Sequence, residues 1–528
     1  MSMDHHSASV PQLWRTEAVQ RGRRFLVALA VLPALVVAGA PASADPPPTI
    51  AVDTIGPPQG FNLVAPELYK NAFQGMEGSG DINGDGIADI VMLNWRYKRA
   101  GVAHLGRVAV VFGTDEGFPA DVDMTTLDGT NGFVLSGAEA DQRLGLDAAF
   151  IGDVNGDGFD DLAVNDDCAA IPCPDLRFIF FGRADFDRRY VLRKEKTGPH
   201  SYIVLKSFPR RFADSGRAVG DVNADGFDDV AFTLFAPWKP RPENIGDARC
   251  VVMYGRERFV TGLNIREPKS GRSFAFVQDG KDCAGIHPAG DFDADGFTDM
   301  SIFGPGETFP IVYGKAADMP LFIGIADPTP GVRTLSLTQS GGGNRSEVRT
   351  STLVGPFQAG QATSVFVFPL QQPSSSTATT VAGAFVSSAV TGDTSFSLDS
   401  VDGTNGARFV FDDLPDIVSR FQYSVTSGGD FNGDGLSDPL LCWLGSHPSY
   451  DSKCLLLFGR PGAFPSEVRW SAVDEGEGLV FAWKPLFRQP GETFVTSLGD
   501  VNGDGLADLY FQGSPHKATV VFGTDAYN

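Results

Sequence analysis

Along this chain the apolar residues fall in short runs rather than at helical spacing. Ile90-Val91-Met92-Leu93 is one such run, and others end in an aromatic residue followed by glycine: Phe112-Gly113, Phe181-Gly182, Tyr254-Gly255, Tyr313-Gly314, Phe458-Gly459 and Phe522-Gly523. Short Val-, Ile- and Phe-rich runs bounded by Gly, Asp and Asn predict β-strands joined by tight turns. The order of elements repeats. An alternating segment such as 147–151 leads into a polar nine-residue loop, and a β-rich run follows. After a variable gap comes the aromatic-Gly run, and then a further short strand such as Gly132-Phe133-Val134-Leu135.

The nine-residue loop sets the period. It occupies 81–89, 153–161, 221–229, 291–299, 430–438 and 500–508, with steps of 68 to 72 residues and one step of 139. The double step predicts a decayed copy. Residues 354–364 align with the other loops, keeping Gly355 and the alternation Val365-Phe366-Val367 but no carboxylate, so the degenerate loop lies near 356–364. Seven units of four strands predict an all-β fold, a seven-bladed β-propeller of four-stranded blades. The last unit shows no fourth strand after Gly523, whereas Gly60-Phe61-Asn62-Leu63-Val64 is a spare copy of that strand. It is expected to close the ring by pairing into the last blade.

The loops read D-x-[DN]-x-D-G-x-x-D. Side-chain oxygens at positions one, three, five and nine and the main-chain carbonyl at seven can converge on one cation, and Gly at six permits the sharp turn. In the first loop these are Asp81, Asn83, Asp85 and Asp89 with Ile87; in the second, Asp153, Asn155, Asp157 and Asp161 with Phe159; in the third, Asp221, Asn223, Asp225 and Asp229 with Phe227. The fourth has Asp291, Asp293, Asp295 and Asp299 with Phe297; the fifth intact loop Asp430, Asn432, Asp434 and Asp438 with Leu436; the last Asp500, Asn502, Asp504 and Asp508 with Leu506. This number of hard oxygens suits Ca²⁺ better than Mg²⁺, so about six calcium ions are expected. Asp and Asn are also ordinary turn residues, and solvated turns are the alternative reading. A turn needs one or two such residues, whereas all six loops keep Asp at one, five and nine, an arrangement that repels itself without a cation. The first nine positions look like an EF-hand loop, but Glu at position twelve is absent and strands flank the loop.

Taken together, the calcium loops and aromatic-Gly runs resemble FG-GAP repeats, as in VCBS-type bacterial proteins and the N-terminal propeller of integrin α chains. The resemblance covers 49–528. It implies a seven-bladed propeller with structural calcium in hairpins on one face and ligand recognition on the other. The Gly-Ala-Pro part of that pattern is poorly kept, Phe235-Ala236-Pro237 being its nearest remnant. The chain shows no leg, membrane helix or cytoplasmic tail, so an integrin-like signalling heterodimer is not implied.

Charge and cysteines add the compartment. With 42 Lys+Arg against 65 Asp+Glu the net charge is -23, which argues against nucleic acid as a partner. Residues 1–44 read as a signal peptide: arginines up to Arg24, an apolar run over 25–40, then Ala42-Ser43-Ala44 before Asp45. An uncleaved anchor is the alternative, for which this run is shorter than the ~20 residues that span hydrocarbon. A single propeller domain, 45–528, with no membrane span is therefore expected outside the cytoplasm: periplasmic, surface-associated or secreted. Six cysteines fit an oxidising compartment, with Cys442–Cys454, Cys168–Cys173 and Cys250–Cys283 the favoured pairing among the connectivities open to them.

The gaps after the second strand of each unit emerge opposite the acidic loops, because neighbouring strands are antiparallel. They carry Trp95, Arg96 and Tyr97, then Trp238, Lys239 and Arg241, then Trp443, His447 and Tyr450. Aromatic rings with a few cations can stack on sugars or grip an acidic peptide, the expected ligand being a protein or a glycan; local packing of these rings is the plainer alternative. Arg188-Arg189 and Arg193-Lys194 read as a solvated outer edge. Catalysis finds little support: hydrolase, zinc-protease and phosphate-loop motifs are missing, and His104, His200, His287, His447 and His516 fall at unrelated positions in their repeats. A lyase or hydrolase acting on carbohydrate is the alternative function, since a pair of Asp carboxylates at the right separation is all that glycoside cleavage needs.

Overall fold

The computed structural model describes residues 46–65, 79–99, 101–166, 176–193, 202–206, 211–212, 216–235, 250–260, 262–265, 268–277, 283, 285–303, 308–324, 329–338, 347–354, 357, 364–370, 381–387, 390, 394–412, 421–445, 451–484, 495–514 and 516–527. They form seven small sheets, one per repeat, arranged as a seven-bladed β-propeller. The second blade shows the plan. Leu144–Phe150, Leu162–Asp166, Leu176–Phe180 and Tyr202–Lys206 pair antiparallel from the inside outwards. Innermost strands of successive blades touch one another, from Leu144–Phe150 through Arg217–Gly220, Gly285–Gly290, Glu347–Val354 and Phe421–Ser427 to Val495–Gly499. The proposed signal peptide lies outside the described residues.

Why the strand runs are continuously apolar follows from blade stacking. On Leu162–Asp166, Leu162 and Val164 pack with Val91, Val110 and Phe133 of the first blade, whereas Ala163 points the other way to Val230 and Phe232 of the third. Alternate residues of one strand thus feed two different cores, so neither face is polar. Phenylalanine stacks add to these seams: Phe61 on Phe118 at 4.0 Å and Phe133 on Phe186 at 4.3 Å.

The four-strand expectation is one strand short. Every sheet carries an additional outermost strand that runs parallel to its neighbour and comes from the following repeat: Arg189–Leu192 joins the first blade, Leu263–Asn264 the second, Phe322–Gly324 the third, Ser395–Ser397 the fourth, Glu467–Arg469 the fifth, and Thr49–Ala51 the sixth. The last blade takes Asp121–Asp123. The link between third and fourth strands is thereby laid along the neighbour's open edge and covers it. A turn repeated in two of these links, Asp128 to Gly132 and Asp402 to Gly406, is held alike: the Asp carboxylate accepts from the Thr N–H and hydroxyl, and the Asn carbonyl accepts from the Asp N–H.

Closure follows the expectation. Gly60–Val64 pairs antiparallel with Lys517–Val521, so the fourth strand of the last blade comes from the N-terminal end of the chain. Two disulfides match the favoured pairing: Cys442–Cys454 across directly opposed positions of neighbouring strands, and Cys250–Cys283 from the third blade to the entry of the fourth. Cys168 and Cys173 lie outside the described residues. Among the described residues no helix is long and apolar enough to cross a membrane. Because Phe61 is fully buried in the closing strand, Phe61→Ala should destabilise the protein by about 3–5 kcal/mol, read as a fall in the urea midpoint.

Candidate metal loops

All six intact loops are fully described and share one hydrogen-bond plan. The position-one carboxylate accepts main-chain N–H groups across the turn: in the first loop Asp81 Oδ1 accepts from Gly84 (2.6 Å) and Asp85 (3.1 Å), and Oδ2 from Gly86 (2.7 Å). Asp153, Asp430 and Asp500 repeat this, while Asp221 and Asp291 show the bonds from positions five and six. Where position three is Asn, its Nδ2 donates to the position-five carboxylate, as Asn83 does to Asp85 at 2.8 Å. Position six is Gly in the left-handed region throughout, and position four is too, even where it is alanine, as at Ala224 and Ala294 (φ 58° each).

Position nine is different in kind. Asp89, Asp161, Asp229, Asp299, Asp438 and Asp508 are fully buried. In each, Oδ2 accepts from the N–H of position two, at 2.7 to 3.2 Å. Oδ1 accepts from the glycine of the aromatic-Gly run, at 2.8 to 3.0 Å. That glycine has no room for a side chain: a Cβ on Gly113 would lie 2.5 Å from the Ala88 carbonyl, and one on Gly182 2.5 Å from that of Asp160. Burial pushes the carboxyls of Asp89, Asp161, Asp229 and Asp438 up to about 8 and those of Asp299 and Asp508 to about 7; other acids of the same loop push further in that direction, against the two N–H bonds.

The loops are also joined to one another. The N–H of position eight donates to the position-one carbonyl of the preceding loop, as from Asp160 to Asp81 at 3.0 Å and from Ala88 back to Asp500 at 2.8 Å. The residue after each aromatic-Gly pair donates to the position-two carbonyl of the same neighbour: Arg183 to Ile82, Arg256 to Val154, Lys315 to Val222, Thr524 to Phe431 and Thr114 to Val501. Arg460 makes the equivalent bond to Phe357, at 3.3 Å, so the decayed loop keeps its place in the hoop. Phe357 is buried and stacks on Phe464 at 4.4 Å. Of the rest of that loop, Pro356 and residues 358–363 lie outside the described residues. Asp160 and Asp228 at position eight add a carboxylate that accepts from the main-chain N–H of Asp81 and Asp153; the repeat pattern does not mark this position, since the other loops have Ala, Ser or Thr there.

Does a cation fit? In the fourth loop, carboxylate oxygens of Asp291, Asp293 and Asp299 lie within 4.8 Å of one another. Asp293 Oδ1 is buried without a hydrogen-bond partner among the described residues, while its Oδ2 meets Arg333 at 2.6 Å. All-oxygen donors carrying this much negative charge fit a hard divalent cation.

On the opposite side, the link between Ile90–Leu93 and Arg107–Val111 holds Trp95 with the guanidinium of Arg96 at 4.5 Å and of Arg143 at 5.3 Å from its ring. Arg107 lies over Tyr97 at 5.4 Å. His104, Asp141 and Arg143 beside them all take positive φ, and His104 Nδ1 is 2.8 Å from Asp141. Trp443 is placed differently: it is buried within Pro439–Gly445 and packs on Trp470 at 5.6 Å, with Lys453 over its ring. Trp238, Lys239, Arg241, His447 and Tyr450 lie outside the described residues.

Fold and loops together define a seven-bladed β-propeller with a hoop of acidic turns on one face. No protein-family model matches the chain. Over 87 residues it is 40% identical to phosphatidylinositol-glycan-specific phospholipase D of Homo sapiens, a stretch that is 16% of this chain and 10% of the relative. The Bos taurus counterpart is 39% identical over the same length, so the match spans about a tenth of these curated relatives. Solved structures of BBS1N in complex with ARL6DN, soaked with mercury or with lead, superpose with a TM-score of 0.40 at 8% and 9% identity, covering 89% of this chain and 97% of theirs.

Position nine and position five separate two roles. Asp508→Ala strands two buried N–H groups and should cost about 2–6 kcal/mol with or without calcium. Asp504→Ala, at an exposed position, should leave the metal-free melting temperature within about 2 °C and lower only the calcium-dependent gain.

Proposed function

We propose that this protein is an exported propeller of the FG-GAP type, stabilised by about six calcium ions, that recognises a protein or glycan through the face opposite its acidic loops. The observation that carries the calcium assignment is the repeated geometry of the loops: six turns each gather three or four carboxylates, one of them fully buried. Asp81, Asn83, Asp85 and Asp89 and their equivalents would hold the ion, which supplies positive charge where the chain concentrates negative charge. The protein supplies the rest: the turn is wound about position one, and position nine fastens it to the blade. Two disulfides support export to an oxidising compartment.

The recognition face is assigned to the loop around Trp95. Two guanidiniums lie over its ring, at 4.5 and 5.3 Å, and three non-glycine residues hold left-handed backbone beside it at a cost of about 1 kcal/mol or more each. The propeller itself is a scaffold compatible with an interaction module. Chelation tests the calcium part: EDTA should lower the melting temperature of the 45–528 protein by on the order of 10 °C, restored by excess Ca²⁺ and not by Mg²⁺. On a glycan array and a panel of extracellular proteins, Trp95→Ala should remove the binding seen with the unaltered protein while leaving its melting temperature unchanged; binding that survives the change excludes this face.

A further inference from the structure

Between the outer strands of the first blade and the outermost strand of the last lies a cavity of about 250 Å³ with an unusual charge. Three arginines line it, Arg107, Arg188 and Arg189, together with Tyr97, and Leu127 and Val134 give it an apolar side. Arg188 and Arg189 do not simply form a solvated edge: Arg189 begins the strand Arg189–Leu192, which pairs with Gly132–Gly137 and turns this edge onto Arg107.

Each guanidinium has a neutral oxygen among its partners. Arg107 Nη2 donates to the Met124 carbonyl at 3.0 Å, Arg188 Nη2 to the Thr125 carbonyl at 3.2 Å, and Arg189 to Ser136 Oγ through Nε (3.3 Å) and Nη2 (3.0 Å). Among the described residues that line the cavity there is no carboxylate. Asp128 lies near Arg188, and its carboxyl is held below the usual range mainly by Thr130, but it is not part of the wall. In a chain with net charge -23, three like charges around one hollow run against the average of the surface.

We infer that this cavity binds the phosphate or sulfate ester of a sugar. Guanidinium forks match tetrahedral oxyanions with paired hydrogen bonds, which ammonium groups do not. The Tyr97 ring and the Leu127–Val134 side suit the apolar face of a pyranose. The volume is below that of pockets for drug-sized ligands and fits one esterified sugar residue. The inference goes beyond the calcium assignment and the Trp95 face, and its failure leaves both untouched.

Titration calorimetry on the full 45–528 protein with glucose 6-phosphate, glucose 6-sulfate and neutral glucose tests it. At least one ester should bind and glucose should not, and the tighter ester identifies the oxyanion. The double change Arg188→Gln with Arg189→Gln should weaken that binding about tenfold or more. If the double variant melts early, Arg188→Gln alone carries the test, because Arg188 is exposed. The inference is overturned if neither ester binds at about 10 mM, if glucose binds as tightly as the esters, or if the arginine changes leave affinity unaltered.

Discussion

A buried aspartate at the end of each acidic loop is the constraint on which the loop face depends. Its two oxygens take one N–H from its own loop and one from the glycine that ends the third strand. One side chain thus sets the turn, its distance from the blade and the need for glycine at a position many residues away. The arrangement is costly in isolation, since a carboxylate out of water among other carboxylates favours protonation. A cation within the loop would reverse that preference, so the proposed metal would be part of the folding problem rather than an addition to it.

Hydrogen bonds between loops extend this constraint around the propeller. Because position eight of one loop and the residue after aromatic-Gly both reach the preceding loop, each turn is shaped partly by its neighbour. The decayed loop shows what is dispensable: with no carboxylate, Phe357 still accepts the bond from Arg460, and stacked rings replace charge as the local support. The outer strands do the same work at the rim, where each blade is covered by a piece of the next repeat, and Thr49–Ala51 with Gly60–Val64 brings both devices to the closing seam.

Much of this was legible in the sequence because the repeat is long and its punctuation is strong. Six Asp-rich loops at nearly constant steps located the blades, and the aromatic-Gly runs located the third strands. Gly60–Val64 was recognisable as a displaced fourth strand. The outermost strands were not legible: three residues such as Glu467–Arg469 carry too little alternation, and parallel pairing with another repeat leaves no local mark. The reason for the glycine in aromatic-Gly was equally hidden, since the atoms it must avoid belong to other segments. Trp443 read as a surface ring because it sits near a loop, yet strand pairing carries it into the interior. The arginine-lined cavity was illegible for a similar reason: Arg107 and Arg188 meet only through the strand exchanged between blades.

The most direct test of this account is the number of calcium ions bound by the metal-free 45–528 protein, counted by calorimetric titration. Six ions, one for each loop that keeps its aspartates, is the predicted result. Zero or one would contradict it and leave the loops as hydrogen-bonded turns.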